Sequence, residues 1–129
     1  MKLAYCGDDC EECPRYIATL SGSKEKLKEA AVLMKKVGWR YDLETPENMK
    51  CRGCQDIEIC EYNVKECCIE KKISNCGECT DYPCYKINKT FEITRINTEK
   101  FKDILTKEEY ELFNKAFFSK KENLDNIKF

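Results

Sequence analysis

Residues 51–84 read CRGCQDIEICEYNVKECCIEKKISNCGECTDYPC and carry eight of the chain's eleven cysteines. Two C-x-x-C pairs stand in this stretch, Cys51 with Cys54 and Cys76 with Cys79. A C-x-x-C bends the backbone until both sulfurs face one point, and Gly53 and Gly77 ease the two turns. Each such knuckle supplies half of a tetrahedral thiolate site. Two knuckles in one small chain are a zinc arrangement.

Outward from that stretch, the 129 residues are expected to form a single domain. Its cysteine-bearing core covers residues 1–92, and a helical C-terminal extension covers 93–129. A chain of this size hides about two-thirds of its unfolded surface on folding. Charged residues make up 36%, the mean hydropathy is −0.66, and part of the 42% apolar share is cysteine. The aliphatic and aromatic core is therefore thin. Structural zinc, worth on the order of 10 kcal/mol per site, would compensate.

An odd cysteine count would strand one thiol in a disulfide framework, and the spacing falls into knuckles rather than bridged loops. The opening MKLAYCGDDCEEC turns acidic without the apolar stretch of a signal peptide. No run approaches membrane-spanning length. These features point to a cytoplasmic protein with reduced thiols.

Histidine is absent. Any zinc must be held by cysteine alone or by cysteine with carboxylate or water, and catalysis lacks its commonest acid–base group near neutral pH. Two zinc ions on eight thiolates would take the formal charge to about −5. Lys50, Arg52, Lys65, Lys71 and Lys72 lie among the ligands, as compensating charge or as solvated surface. With a pI near 5.7 and no basic stripe, nothing marks a nucleic-acid partner.

The expected architecture is mainly α, five or six short helices with little or no sheet. Pro14 suits the first turn of a helix that packs through Tyr16, Ile17 and Leu20. Residues 23–38 form the clearest helix, with Leu27, Ala30, Ala31, Met34 and Val37 on one face, Ser23 as cap and Gly38 as stop. Trp39 is expected to fold back onto it. Thr45-Pro46-Glu47 starts a short turn leading into Cys51. Asn63 to Lys72 makes about two turns. They carry Cys67 as a ligand and Cys68 as an ordinary buried thiol on another side.

Asp81 or Thr80 caps a further helix with Pro83 in its first turn and Cys84 near its positive end, running through Ile87 and Phe91. Thr106 to Glu109 is a capping box ahead of the stripe Tyr110, Phe113 and Phe117, expected to close over the metal core or to dock a partner. Ser119 to Glu122 repeats the box.

The motifs Cys6-Gly7-x-Asp9-Cys10-x-x-Cys13, Tyr16-Ile17-Ala18-Thr19, Cys51-x-Gly53-Cys54, Cys67 with Glu70-Lys71, and Asn75-Cys76-x-x-Cys79-x-Asp81-Tyr82-Pro83-Cys84-x-Lys86 occur together. Over roughly residues 4–92 the chain resembles the prokaryotic cysteine-rich proteins catalogued as domain of unknown function 3795. The resemblance implies a small metal-binding protein without an established activity. Members usually carry one more cysteine between the positions of Cys60 and Cys67, and a helix-ending glycine where Lys72 stands here.

Three functions compete. In the first, a zinc module of two four-thiolate sites presents a surface to a partner protein. Its ligands are drawn from Cys6, Cys10, Cys13, Cys51, Cys54, Cys60, Cys67, Cys76, Cys79 and Cys84. Such closed sites are poor Lewis acids, so no hydrolysis is expected. In the second, the Cys6/Cys10/Cys13 trio belongs to an iron–sulfur protein. The C-x3-C-x2-C spacing also occurs in radical S-adenosylmethionine enzymes, but Glu12 stands where those carry an aromatic residue, and their barrel is much longer than this chain. In the third, Cys84 is a redox-active thiol resolved by Cys60 or Cys13. The zinc module is the expectation carried forward.

Overall fold

The computed structural model describes residues 1–39, 46–53 and 62–129. Over these residues the protein is helical, and the one extended pairing among them is an isolated antiparallel bridge between Leu3 and Asp9. This is the small, mainly α architecture expected. None of the described helices is long and apolar enough to cross a membrane.

Helix α1 (Pro14–Ser21) starts on Pro14, whose missing N–H is harmless in a first turn, and stops at Gly22 with φ of 70°. Its packing differs from the expected one. Ile17 and Leu20 are exposed, whereas Arg15 and Ala18 are buried. Arg15 turns inward because its guanidinium binds backbone carbonyls of residues 48–50. Helix α2 (Lys24–Lys36) begins at the expected cap, the Ser23 hydroxyl oxygen accepting from the Lys26 N–H. Leu27, Ala30 and Met34 form its buried face.

Helix α3 (Lys65–Lys71) ends on Lys72, which takes the left-handed conformation (φ 58°) that glycine usually fills, at a cost of about 1 kcal/mol. Helix α4 (Tyr85–Phe101) starts later than expected. The Tyr82–Pro83 bond is cis, Pro83 precedes the helix, and Cys84 is itself the N-cap residue. From there α4 runs about 25 Å.

Helix α5 (Lys107–Phe113) opens with the expected capping box. Thr106 Oγ1 accepts from the Glu109 N–H at 3.2 Å, and Glu109 Oε1 accepts from the Thr106 N–H at 2.9 Å. Thr106→Ala is expected to cost about 1 kcal/mol, read from the urea midpoint. A π turn over Asn114–Phe118 follows, then α6 (Lys120–Lys128). The second box does not form. Ser119 Oγ donates instead to the Asn114 carbonyl at 2.9 Å, closing the wide π turn, and offers no cap to α6.

Two cores result, and α4 joins them. One gathers Leu27, Ala30, Met34, Phe101 and Phe113 of α2, α4 and α5. Trp39 folds back as expected, stacked 5.6 Å from Phe113 and edge-on to Phe101 and Phe117. The Tyr110–Phe117 stripe thus packs into an aromatic core rather than over the cysteines. The other core is sulfur-rich: Cys6, Cys68, Cys76 and Cys79 with Val64, Tyr82, Ile87 and Leu124. The helix that closes over it is α6.

Candidate metal centre

The C-x-x-C at 76–79 is a built turn. Asn75 Oδ1 accepts from the Gly77 N–H at 2.9 Å, and the Cys79 N–H returns to the Cys76 carbonyl at 3.1 Å, making one 3-10 turn over Cys76–Glu78. The Cys76 N–H donates to the Tyr5 carbonyl at 2.9 Å, which fixes the turn to the N-terminal segment. Helix α6 lies over its other side. Tyr82 donates to Asp125 at 2.7 Å, and Lys128 Nζ reaches the Cys79 carbonyl at 3.1 Å. Gly77 is required by that approach, since a Cβ there would stand 2.9 Å from Ile127 Cβ and from the Leu124 carbonyl. Gly77→Ala is expected to cost about 1–3 kcal/mol in urea unfolding. Gly77 does not take a positive φ, so that cost reads the clash itself.

Five thiols, Cys67, Cys68, Cys76, Cys79 and Cys84, line one cavity of about 280 Å³, together with Lys71. Cys68 Sγ stands 3.8 Å from Cys76 Sγ. One shared proton lowers Cys68 and raises Cys76, and burial and the neighbouring Cys84 and Cys6 push Cys76 further up. Cys79 Sγ accepts from Lys71 Nζ at 3.1 Å and from the Asp81 N–H at 3.4 Å. The Cys79 contact, then Asp81 at 3.0 Å, hold Lys71 protonated above its usual range.

The other expected ligands are distributed as follows. Cys6 is buried in the same sulfur-rich core. Cys10 faces a second cavity beside Lys2, Tyr5 and Ile73. Cys13 is the N-cap residue of α1; burial pushes its thiol up to about 11, against the pull of the Tyr16 and Arg15 N–H groups. Cys51 is buried. Cys54 and Cys60 lie outside the described residues. None of the nine described cysteines forms a disulfide.

Cys68 is the residue that sequence reasoning set aside. It is buried, as expected, yet it shares the cavity with Cys67 and is the one within reach of Cys76. The signal was the four-residue step from Val64, since both are about 1% exposed and mark the inner face of α3.

One pair of these sulfurs stands at the spacing that a thiophilic cation would require. A tetrahedron with Zn–S bonds of about 2.3 Å has sulfurs roughly 3.8 Å apart, the Cys68–Cys76 separation. Lys71 and the Asp81 N–H supply the hydrogen bonds that outer-shell groups give to a metal thiolate. As they stand, no three cysteine, aspartate or glutamate side chains among the described residues form a group that could hold one ion.

No curated protein and no solved structure matches the chain. Residues 2–89 match the family described as Protein of unknown function (DUF3795), and the chain belongs to that family.

Proposed function

We propose that this protein is a zinc-holding module whose metal is structural, folding a small chain into a surface for a partner protein. The observation that carries it is the lining of one cavity by Cys67, Cys68, Cys76, Cys79 and Cys84, with the Cys68 and Cys76 sulfurs 3.8 Å apart and Lys71 on Cys79. Zinc bound there would neutralise thiolate charge and tie α3, the Cys76–Cys79 turn and the start of α4 together. Four thiolates leave no open position for a substrate, so a structural role follows rather than hydrolysis. Metal-binding thiols of this kind suit a reducing compartment such as the cytoplasm.

The test is elemental analysis of anaerobically purified protein. Zinc in a fixed ratio to chain, in a colourless preparation, is the expected result. A brown preparation that bleaches with dithionite would replace zinc with an iron–sulfur cluster. Folded protein without metal would remove the proposal.

A further inference from the structure

The C-x-x-C spacing points to Cys76 and Cys79 as partners, yet the structure sets Cys76 against a different thiol. Its Sγ stands 3.8 Å from Cys68 Sγ. Cys79 Sγ has other contacts, accepting from Lys71 Nζ at 3.1 Å and from the Asp81 N–H at 3.4 Å.

The backbone on either side of the Cys68–Cys76 pair is fixed. The Cys68 carbonyl accepts from the Ile73 N–H at 3.0 Å, and Lys72, left-handed at φ 58°, reverses the chain there. The Cys76 N–H donates to the Tyr5 carbonyl at 2.9 Å. Eight positions separate the two cysteines, and the fold has already closed the loop that a bond between them needs. Sulfurs in van der Waals contact need only a small side-chain movement to bond.

Cys68 is about 1% exposed, so a reagent reaches it through the cavity that it lines with Cys76. Half-buried Cys67 and Cys84 and the exposed Tyr85 ring belong to the same wall. At about 280 Å³ the cavity has room for a water-sized molecule, whose share of liquid volume is about 30 Å³. Hydrogen peroxide, uncharged and two oxygens long, is an oxidant of that class.

We infer that Cys68 and Cys76 are a peroxide-reactive dithiol pair that closes to a reversible disulfide across this cavity. One sulfur attacks a peroxide oxygen, the O–O bond breaks, and a water leaves as the sulfenic acid forms. The second sulfur then attacks the first, an S–S bond forms, the S–O bond breaks, and a second water leaves. Two thiols and one hydrogen peroxide thus give one disulfide and two waters, the sulfurs supplying both electrons. The pairing rests on geometry alone. Its effect on metal rests on the zinc reading, since disulfide sulfurs carry no thiolate charge and closure would take two donors from the ion.

The experiment treats anaerobically purified, full-length protein of measured zinc content with stoichiometric hydrogen peroxide, blocks the remaining thiols, and digests with trypsin without reductant. Cleavage after Lys71 and Lys72 puts Cys68 and Cys76 on separate peptides, 66–71 and 73–86, while Cys76, Cys79 and Cys84 stay on one. The two peptides are expected to be joined, with fragment ions placing the bond at Cys68, and dithiothreitol should part them. Cys67→Ala should keep the link and Cys68→Ala should lose it; if Cys68→Ala does not fold, the wild-type fragment ions decide. A bond confined to 73–86, a link through Cys67, or sulfinic acid on Cys76 without a link would overturn the pair. Zinc captured by a coloured chelator should rise with the disulfide, about one ion per bond. A link formed in folded protein that held no zinc would keep the pair and remove the zinc reading. Zinc retained with no link would do the reverse.

Discussion

On the proposed zinc reading, removal of metal by a strong chelator at neutral pH is expected to unfold the protein, read as loss of the far-UV helix signal. The sulfur-rich core has little else to hold it. Beside its cysteines and Tyr82, the fully buried members are Ala4, Val64, Ile87 and Leu124. Burial of a medium-sized aliphatic side chain contributes about 1.5–3 kcal/mol, and the backbone entropy of the segments they anchor opposes it. A structural zinc contributes on the order of 10 kcal/mol, comparable with the whole stability of a domain. Because α4 carries Ile87 into this core and Phe101 into the aromatic one, loss of the first is expected to loosen the second. Trp39 emission should then move to the red along with the helix signal. An unchanged helix signal in protein proven metal-free by elemental analysis would refute this.

Lys120→Ala is expected to lower stability by about 3–5 kcal/mol, the cost of leaving a buried ion pair with one member. Lys120 is nearly fully buried, 2.7 Å from Asp8 Oδ1, with its Nζ also donating to the Phe117 carbonyl at 2.6 Å and lying 5.4 Å from the Tyr62 ring centre. Burial opposes its charge, but Asp8 and then Cys6 outweigh that and hold it protonated. The Asp8 carboxyl is pushed up by desolvation, against the pull of Lys120. With the ammonium gone, only the hydrogen bond with Cys6 is left to offset that desolvation of Asp8, and the Phe117 carbonyl loses its donor.

The companion Asp8→Asn/Lys120→Met replaces the pair with neutral groups. It is expected to recover most of the loss in urea titrations, because the pair itself contributes little beyond a neutral substitute. The sign with pH is also fixed. A carboxyl raised in the folded state is a burden when ionised, so the deficit of Lys120→Ala should shrink as pH falls through the folded pKa of Asp8. A deficit constant from pH 7 to 4 would show that Asp8 is not its source.

Sequence was most informative where structure is local. Ser23, the Thr106–Glu109 box and the apolar face of α2 involve residues a turn apart, and each forms as read. It misled where a distant segment took over a side chain. Arg15 is buried because residues 48–50 offer it carbonyls, which rotates Ile17 and Leu20 outward. Ser119 resembles a cap, but the π turn before it presents the Asn114 carbonyl first. Pro83 resembles a first-turn proline, but Cys84 is the N-cap and the helix starts at Tyr85.

The candidate site divides the same way. Knuckles at 76–79 and 10–13 follow from spacing plus Asn75 and Asp9 as local caps. The choice of Cys68 beside Cys76 depends on how α3 packs.

The packing of α6 has a consequence for synthesis on the ribosome. Gly7, at φ 97°, has room only for hydrogen, with the Lys120 carbonyl 2.7 Å and Leu124 Cγ 2.8 Å from where a Cβ would stand. Asn123 Nδ2 also donates to the Gly7 carbonyl at 2.9 Å. Gly7 therefore finds its packing neighbours far along the chain, Asn123 lying 116 positions later. At about 5–20 residues per second, several seconds separate synthesis of Cys6 from that of Leu124, with which it shares a core. A nascent chain stalled before Lys120 leaves the tunnel should keep Cys6 open to alkylation, and emergence of residues 120–128 should shut it off.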